Sequence, residues 1–188
     1  MPKLPLIHKS EVVARSRLFR VEALDLEFSN GEQRVFERLA SRGYGAVLVV
    51  PMIDDDTILM IREYAAGTER YELGLPKGKV DAGETLIEAA NRELMEEVGY
   101  GSHNIQHLKS VSLAPGYMGH RTNLLLARDL YPAKLEGDEP EPLEVVPMKL
   151  SELDQLVATD ECSEGRSLLA LYMVRDVLQQ EAVAQQNS

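Results

Sequence analysis

Apolar and polar residues alternate along residues 18–28, but the phase slips by one between Ala23 and Leu24. That pattern predicts a strand interrupted by a bulge. Asn30-Gly31 follows and predicts a hairpin through a type I′ turn, because both residues accept positive φ. The return strand spans residues 33–39. Such a hairpin is marginal alone and must pack on something, either as part of a main sheet or as a small N-terminal subdomain. Two apolar runs, 46–53 and 58–61, flank Asp54-Asp55-Asp56 and predict buried strands of a central sheet. Shorter strands are expected at 71–75, 105–113, 122–127 and 145–150, with a proline-broken acidic loop at 136–142. Residues 84–98 predict a helix ending at Gly99, with Leu86, Ile87, Ala90, Leu94 and Val98 toward the sheet. A closing helix over 163–180 places Leu168, Leu169, Tyr172, Met173 and Val177 on one side as core contacts. Residues 182–188 are expected to form a flexible tail.

The chain of 188 residues and 21.0 kDa suits one compact domain with a small appendage. Its net charge of −11 argues against gripping nucleic acid or an anionic membrane by bulk charge. An anionic ligand would need local positive charge, most simply a metal. Cys162 is the one cysteine, so an intramolecular disulfide is impossible and a reducing cytoplasm is the expected location. The N-terminus lacks the apolar run of a signal peptide, and the longest apolar stretch is too short to span a bilayer, so a soluble protein without membrane contact is expected.

The segment that carries chemistry runs from Gly78 through Glu84 to Arg92-Glu93-Leu94-Met95-Glu96-Glu97-Val98-Gly99. On a helix of about 100° per residue, Glu97 lies about 40° to one side of Glu93 and Glu96 about 60° to the other. Three carboxylates thus share one face, where each raises the pKa of the others unless a cation sits among them. Such hard oxygen donors suit Mg²⁺ or Mn²⁺ rather than zinc. A Glu-rich helix is in general only a solvated face with weak ion pairs.

The spacing G-x5-E-x7-R-E-L-x-E-E-x-G is similar to the box of the Nudix hydrolases at every charged and glycine position; Tyr100 stands where that family usually has an aliphatic residue. The resemblance implies an α/β fold, a Nudix α/β/α sandwich with a mixed central sheet and an N-terminal β-hairpin subdomain. Expected boundaries are 1–42 for the N-terminal subdomain, which would dimerise and contact nucleotide, and 43–181 for the hydrolase domain. Glu93 and Glu97 resemble the principal metal ligands, with Glu96 and the Lys77 carbonyl contributing. Gly78 would let the loop turn sharply without a Cβ, and Glu84 would be a support bonded to Arg92.

Residues 13–19, 26–31, 61–65 and 135–142 resemble the ADP-ribose and ADP-compounds branch, especially bacterial NudE-type hydrolases, and Pro115 has the spacing past the box similar to ADP-ribose pyrophosphatases. Glu63-Tyr64-Ala65 stands where many of these show Gln-aromatic-Arg, which favours broader ADP-X use over strict ADP-ribose specificity. The resemblance implies Mg-dependent hydrolysis of ADP-ribose, NADH or diadenosine polyphosphates to AMP and phosphorylated X. It also implies Glu139 as the base, Glu141 as a further metal ligand, and substrate contacts from Glu37, Arg38, Pro115, Gly116 and His120. A homodimer formed through the N-terminal subdomain is expected. The rival of the same fold is a dinucleoside-polyphosphate or RNA 5′-pyrophosphate hydrolase, the latter disfavoured by the missing basic surplus. The rival of another class is a non-catalytic nucleotide-sensing module, disfavoured because every box glutamate is present.

Overall fold

The computed structural model describes residues 3–40 and 43–187. Its chain divides into two units, Met1–Gly45 with Ser112–Arg121, and Ala46–Val111 with Thr122–Ser188. The boundary expected after residue 42 falls beside residues outside the described set.

The first unit is a three-stranded antiparallel sheet, β1 (Leu6–Arg15), β2 (Arg20–Glu27) and β3 (Gln33–Leu39), with β2 in the middle. Pairing of β2 with β3 is in uninterrupted register, so the bulge expected at Ala23/Leu24 is not there. The register shifts instead lie in β1, between Ile7 and Lys9 and between Val12 and Ala14. The apparent slip has a different cause. Glu22 and Leu24 are the buried residues of β2 and share one face, and Glu22 is held there by Arg20 at 2.8 Å and Arg38 at 3.0 Å. A glutamate at an inward position therefore mimics a change of phase. The turn also differs from type I′. Gly31 alone has positive φ, +83°, and the loop closes by Gly31 N–H to Phe28 O and Phe28 N–H to Glu32 O, both 2.9 Å. This longer loop, with glycine at its left-handed position, is a regular alternative to the two-residue turn. Residues 112–121 join this unit through their own backbone: the Leu39 N–H donates to Tyr117 O at 2.8 Å, and Leu39 bridges Met118.

The second unit is an α/β/α sandwich. Its strands are β4 (Ala46–Pro51), β5 (Thr57–Ala65), β6 (Arg70–Gly74), β7 (Lys77–Lys79), β8 (Tyr100–Ser112), β9 (Arg121–Pro132) and β10 (Glu144–Lys149). They form the orders β10-β5-β6 and β7-β4-β9-β8, the latter mixed because β4 runs parallel to β9 and antiparallel to β7. Helix α1 (Leu86–Glu97) covers one face, and the short α2 (Leu153–Val157) and long α3 (Gly165–Gln186) cover the other. Alternation assigns the faces. Val47 and Val49 pack with Ala89, Ala90 and Leu94 of α1, whereas Leu48 and Val50 pack with Ala170, Leu171 and Val174 of α3. Strands buried on both faces read as continuous apolar runs, which is why β4 and β5 were visible in the sequence. The strand β7 and helix α2 were not, being only three and five residues long. Helix α3 continues across 182–186, where a flexible tail was expected. Cys162 is buried in the α3-side core, and burial pushes its thiol up to about 11. No helix among the described residues is long and apolar enough to cross a membrane.

The acidic turn between β4 and β5 is held by Asp54, which accepts from Asp56 N–H at 2.9 Å, Thr57 N–H at 2.6 Å and the Thr57 hydroxyl at 2.7 Å. The Thr57 hydroxyl and these two amides hold its carboxyl down to about 2. A depressed carboxyl pKa contributes stability that is present above the unfolded value and lost as pH falls through the folded one. Asp54→Ala should therefore lower Tm by a constant amount above the ordinary value of 3.8, and the gap from wild type should close as pH falls toward about 2. Thermal unfolding followed by circular dichroism across that window checks it.

Candidate active site

The site is assembled by one turn of backbone and one helix face. Thr85 caps α1 in a reciprocal box with Glu88, each side chain meeting the other's backbone N–H. The helix therefore starts at Leu86, and Glu84, expected inside it, stands just before it. From there Glu84 accepts two hydrogen bonds from Arg92, at 2.8 and 3.1 Å. Arg92 also donates to Glu93 at 2.7 Å, to Glu96 at 2.9 Å and to the Lys79 carbonyl at 2.9 Å. A planar guanidinium with five donors can serve four acceptors at once. Its carboxylate partners, Glu84 first, raise its own pKa.

The inner face of α1 differs from expectation in one respect. Ile87 is exposed, and Ala89 takes its place among the buried residues, together with Glu93 and Glu97. Glu93 is 7% and Glu97 5% exposed. Burial raises Glu97 to about 8; Lys77 opposes the shift, while Glu93 and Glu63 add to it. Glu93 is likewise raised by burial, against Arg92 and with the charges of Glu96 and Glu139. Glu97 accepts from the Lys77 backbone N–H at 2.9 Å, and the Lys77 ammonium meets Glu63 at 2.6 Å.

Gly78 is needed for space rather than for a turn. Its φ is not positive, but a Cβ there would collide with the Glu93 carboxyl group. The Glu93 carboxyl thus lies against bare backbone.

These residues line one cavity of about 490 Å³, whose walls include Gly78, Glu93, Glu96 and Glu97 from the box, and Glu139 from the loop before β10. Glu63, Lys77 and Lys79 also line it. The sequence did not single out the last of these or the Lys77 side chain; the departure at Glu63 was the available signal. Glu141, two residues past Glu139, does not line this cavity; it lines an adjoining one, which Glu139 lines too, and accepts a hydrogen bond from the Tyr71 hydroxyl. Among the described residues, no group of three or more His, Cys, Asp or Glu is drawn together around one point. Arg92 and the Lys77 N–H engage oxygens of Glu93, Glu96 and Glu97. Glu37, Arg38, Pro115, Gly116 and His120 belong to the first unit. There Arg38 pairs with Glu22, and the adjoining Leu39 pairs with Tyr117 and Met118 of the 115–120 loop.

The model of the NUDIX domain matches residues 44–172, and that of the NudE-type Nudix hydrolase N-terminal domain matches residues 5–38. The chain belongs to the Nudix hydrolases. Within them it is 52% identical to the ADP compounds hydrolase NudE of Escherichia coli over 174 residues, 93% of each chain. It is 28% identical to the ADP-ribose pyrophosphatase of Bacillus subtilis, over 87% of this chain and 91% of that one. The crystal structure of an ADP compounds hydrolase superposes with a TM-score of 0.92 at 49% identity, covering 96% of this chain and 97% of its own. This Nudix chain is an enzyme by family and by the box glutamates it keeps.

Gly78→Ala should push the Glu93 carboxyl out of place while leaving the apolar core intact. A displacement of that size is expected to lower kcat/KM on the order of 10²-fold with Tm nearly unchanged. Steady-state hydrolysis and a melting curve on the same preparation check both halves.

Proposed function

We propose that the chain hydrolyses the pyrophosphate of ADP-linked compounds to AMP and phosphorylated X, using Mg²⁺ or Mn²⁺. The observation that carries this reading is the buried pair Glu93 and Glu97 beside Gly78, in one cavity with Glu96 and Glu139. The donor set fits a hard divalent cation. Among the described residues lining the cavity none is His or Cys, and two buried carboxylates with raised pKa favour positive charge beside them. Glu93, Glu96, Glu97 and the Lys77 carbonyl would hold the ion. When bound, it supplies charge neutralisation for the phosphates and polarises the phosphorus being attacked.

The chain's own groups do the rest. Glu139 takes the proton of the attacking water, whose oxygen forms the new bond to phosphorus as the anhydride P–O bond breaks. The departing phosphate keeps the electron pair. Arg92 fixes Glu84, Glu93 and Glu96 in one arrangement, so those carboxylates need not reorganise during turnover. Lys77 and Lys79 bring cationic side chains to the cavity wall, where they offset the substrate's charge. Glu141 would be a further ligand of the ion, and its bond from the Tyr71 hydroxyl holds the loop that carries Glu139. Glu37, Arg38, Pro115, Gly116 and His120 contact the nucleotide, as their places in the family imply.

Glu93→Gln and Glu97→Gln should each lower turnover of ADP-ribose on the order of 10²-fold or more, with the fold retained. Release of AMP with and without Mg²⁺ is the measurement. Near-normal turnover by either variant, or equal rates in chelator, would sink the assignment.

The chain also acts as a homodimer, formed through the N-terminal sheet, in the reducing cytoplasm that its lone buried thiol suits. Support comes from the apolar side chains that sheet leaves outside: Leu6, Ile7 and Val35 are each more than half exposed. Light scattering at micromolar concentration should return twice the 21.0 kDa chain mass; a monomer would remove this part.

A further inference from the structure

Next to the carboxylate cavity lies a second one of about 230 Å³, and Glu63 and Glu139 line both. Part of its wall is aromatic. Tyr64 and Tyr71 are directly opposed across β5 and β6, with ring centroids 5.6 Å apart and planes at 66°. Although in contact, they are 52% and 53% exposed, so ring surface is left open. Pro140 and Pro142 of the loop that carries Glu139 complete the lining. The volume falls below the roughly 300 Å³ at which pockets for whole drug-sized ligands begin, which matches one flat ring rather than a dinucleotide. Charge narrows the occupant further. Glu63, Glu139, Glu141 and Glu144 stand on the wall, and its arginine, Arg62, is engaged by Glu144 at 3.0 Å and Glu161 at 3.4 Å. A phosphate is disfavoured in such surroundings, and an uncharged aromatic ring is not.

We propose that this cavity is the subsite for the base of X when X is itself a nucleoside, with that base stacking on Tyr64. The inference rests on the proposed hydrolysis of ADP-linked compounds and names the structural source of its breadth. A sugar X leaves the rings uncovered. A nicotinamide or second adenine covers them, and stacking of a base on an aromatic side chain is tolerant of which base it is. The plain alternative is that the two rings only stabilise the end of the hairpin. Tyr64 is the better probe of the pair, because Tyr71 also holds Glu141.

The test compares wild type, Tyr64→Ala and Tyr64→Phe on ADP-ribose, NADH and diadenosine triphosphate. It uses kcat/KM with Mg²⁺ and calorimetric binding in chelator, where nothing turns over. Tyr64→Ala should lose about tenfold in kcat/KM and in affinity for the two dinucleotides, chiefly through KM, and Tyr64→Phe should restore both. ADP-ribose should change by less than about twofold. Equal losses on all three ligands, or no loss on any, would overturn the subsite. Wild type that hydrolyses none of the three would refute the hydrolysis reading instead. The binding arm then decides alone: dinucleotide-selective loss in Tyr64→Ala supports the subsite, and its absence overturns it.

Discussion

Burying two carboxylates side by side is the constraint around which this site is built. Isolated, each would cost several kcal/mol to remove from water as an anion. Here Glu93 draws on Arg92, and Glu97 on the Lys77 N–H and the Lys77 charge. Arg92 is the hub, because its fork also binds Glu84, Glu96 and the Lys79 carbonyl. One side chain thereby ties the loop of residues 78–84 to the helix that follows it. Displacing Arg92 would release the loop, the rim carboxylate and the buried one together.

That hub works only on a rigid support. Strands β4, β5 and β9 are apolar on both faces, so α1 is pressed against one side and α3 against the other. The inner face of α1 is then shared: Ala89, Ala90 and Leu94 fill the core, while Glu93 and Glu97 continue the same buried arc into the cavity. Small alanines bring the helix close, and Gly78 leaves room for Glu93 between helix and loop. The loop with Glu139 has no regular hydrogen bonding of its own and depends on long-range contacts such as Tyr71 to Glu141. Such loops carry function because a scaffold elsewhere holds them.

How much was legible before the fold is clearest from individual residues. The box, the helix it sits on and the strands flanking Asp54-Asp55-Asp56 could all be read, because each expresses a local period or a local cap. Glu22 misled. A charged residue at an inward position looks like a slip in phase until Arg20 and Arg38 are seen beside it. Ile87 misled in the opposite way, since an apolar residue on a helix need not face the core. Glu139 and Glu141 were assigned by resemblance, as base and further metal ligand. The fold gives them different company: both line the cavity beside Tyr71, and only Glu139 also lines the carboxylate cavity.

The sequence by itself determined the chemistry: which carboxylates recur on one helix face, which arginine precedes them, and where glycine must stand. Those facts follow from spacing of a few residues and from the helical repeat, which the chain carries locally. Tertiary structure alone decided the company each group keeps. Glu63 meets Lys77 across fourteen residues, and Tyr71 meets Glu141 across seventy. Whether a carboxylate is buried, paired or left facing a cavity depends on such distant neighbours. No local pattern encodes them, because the energy that selects them is released only when the sheet and its helices close.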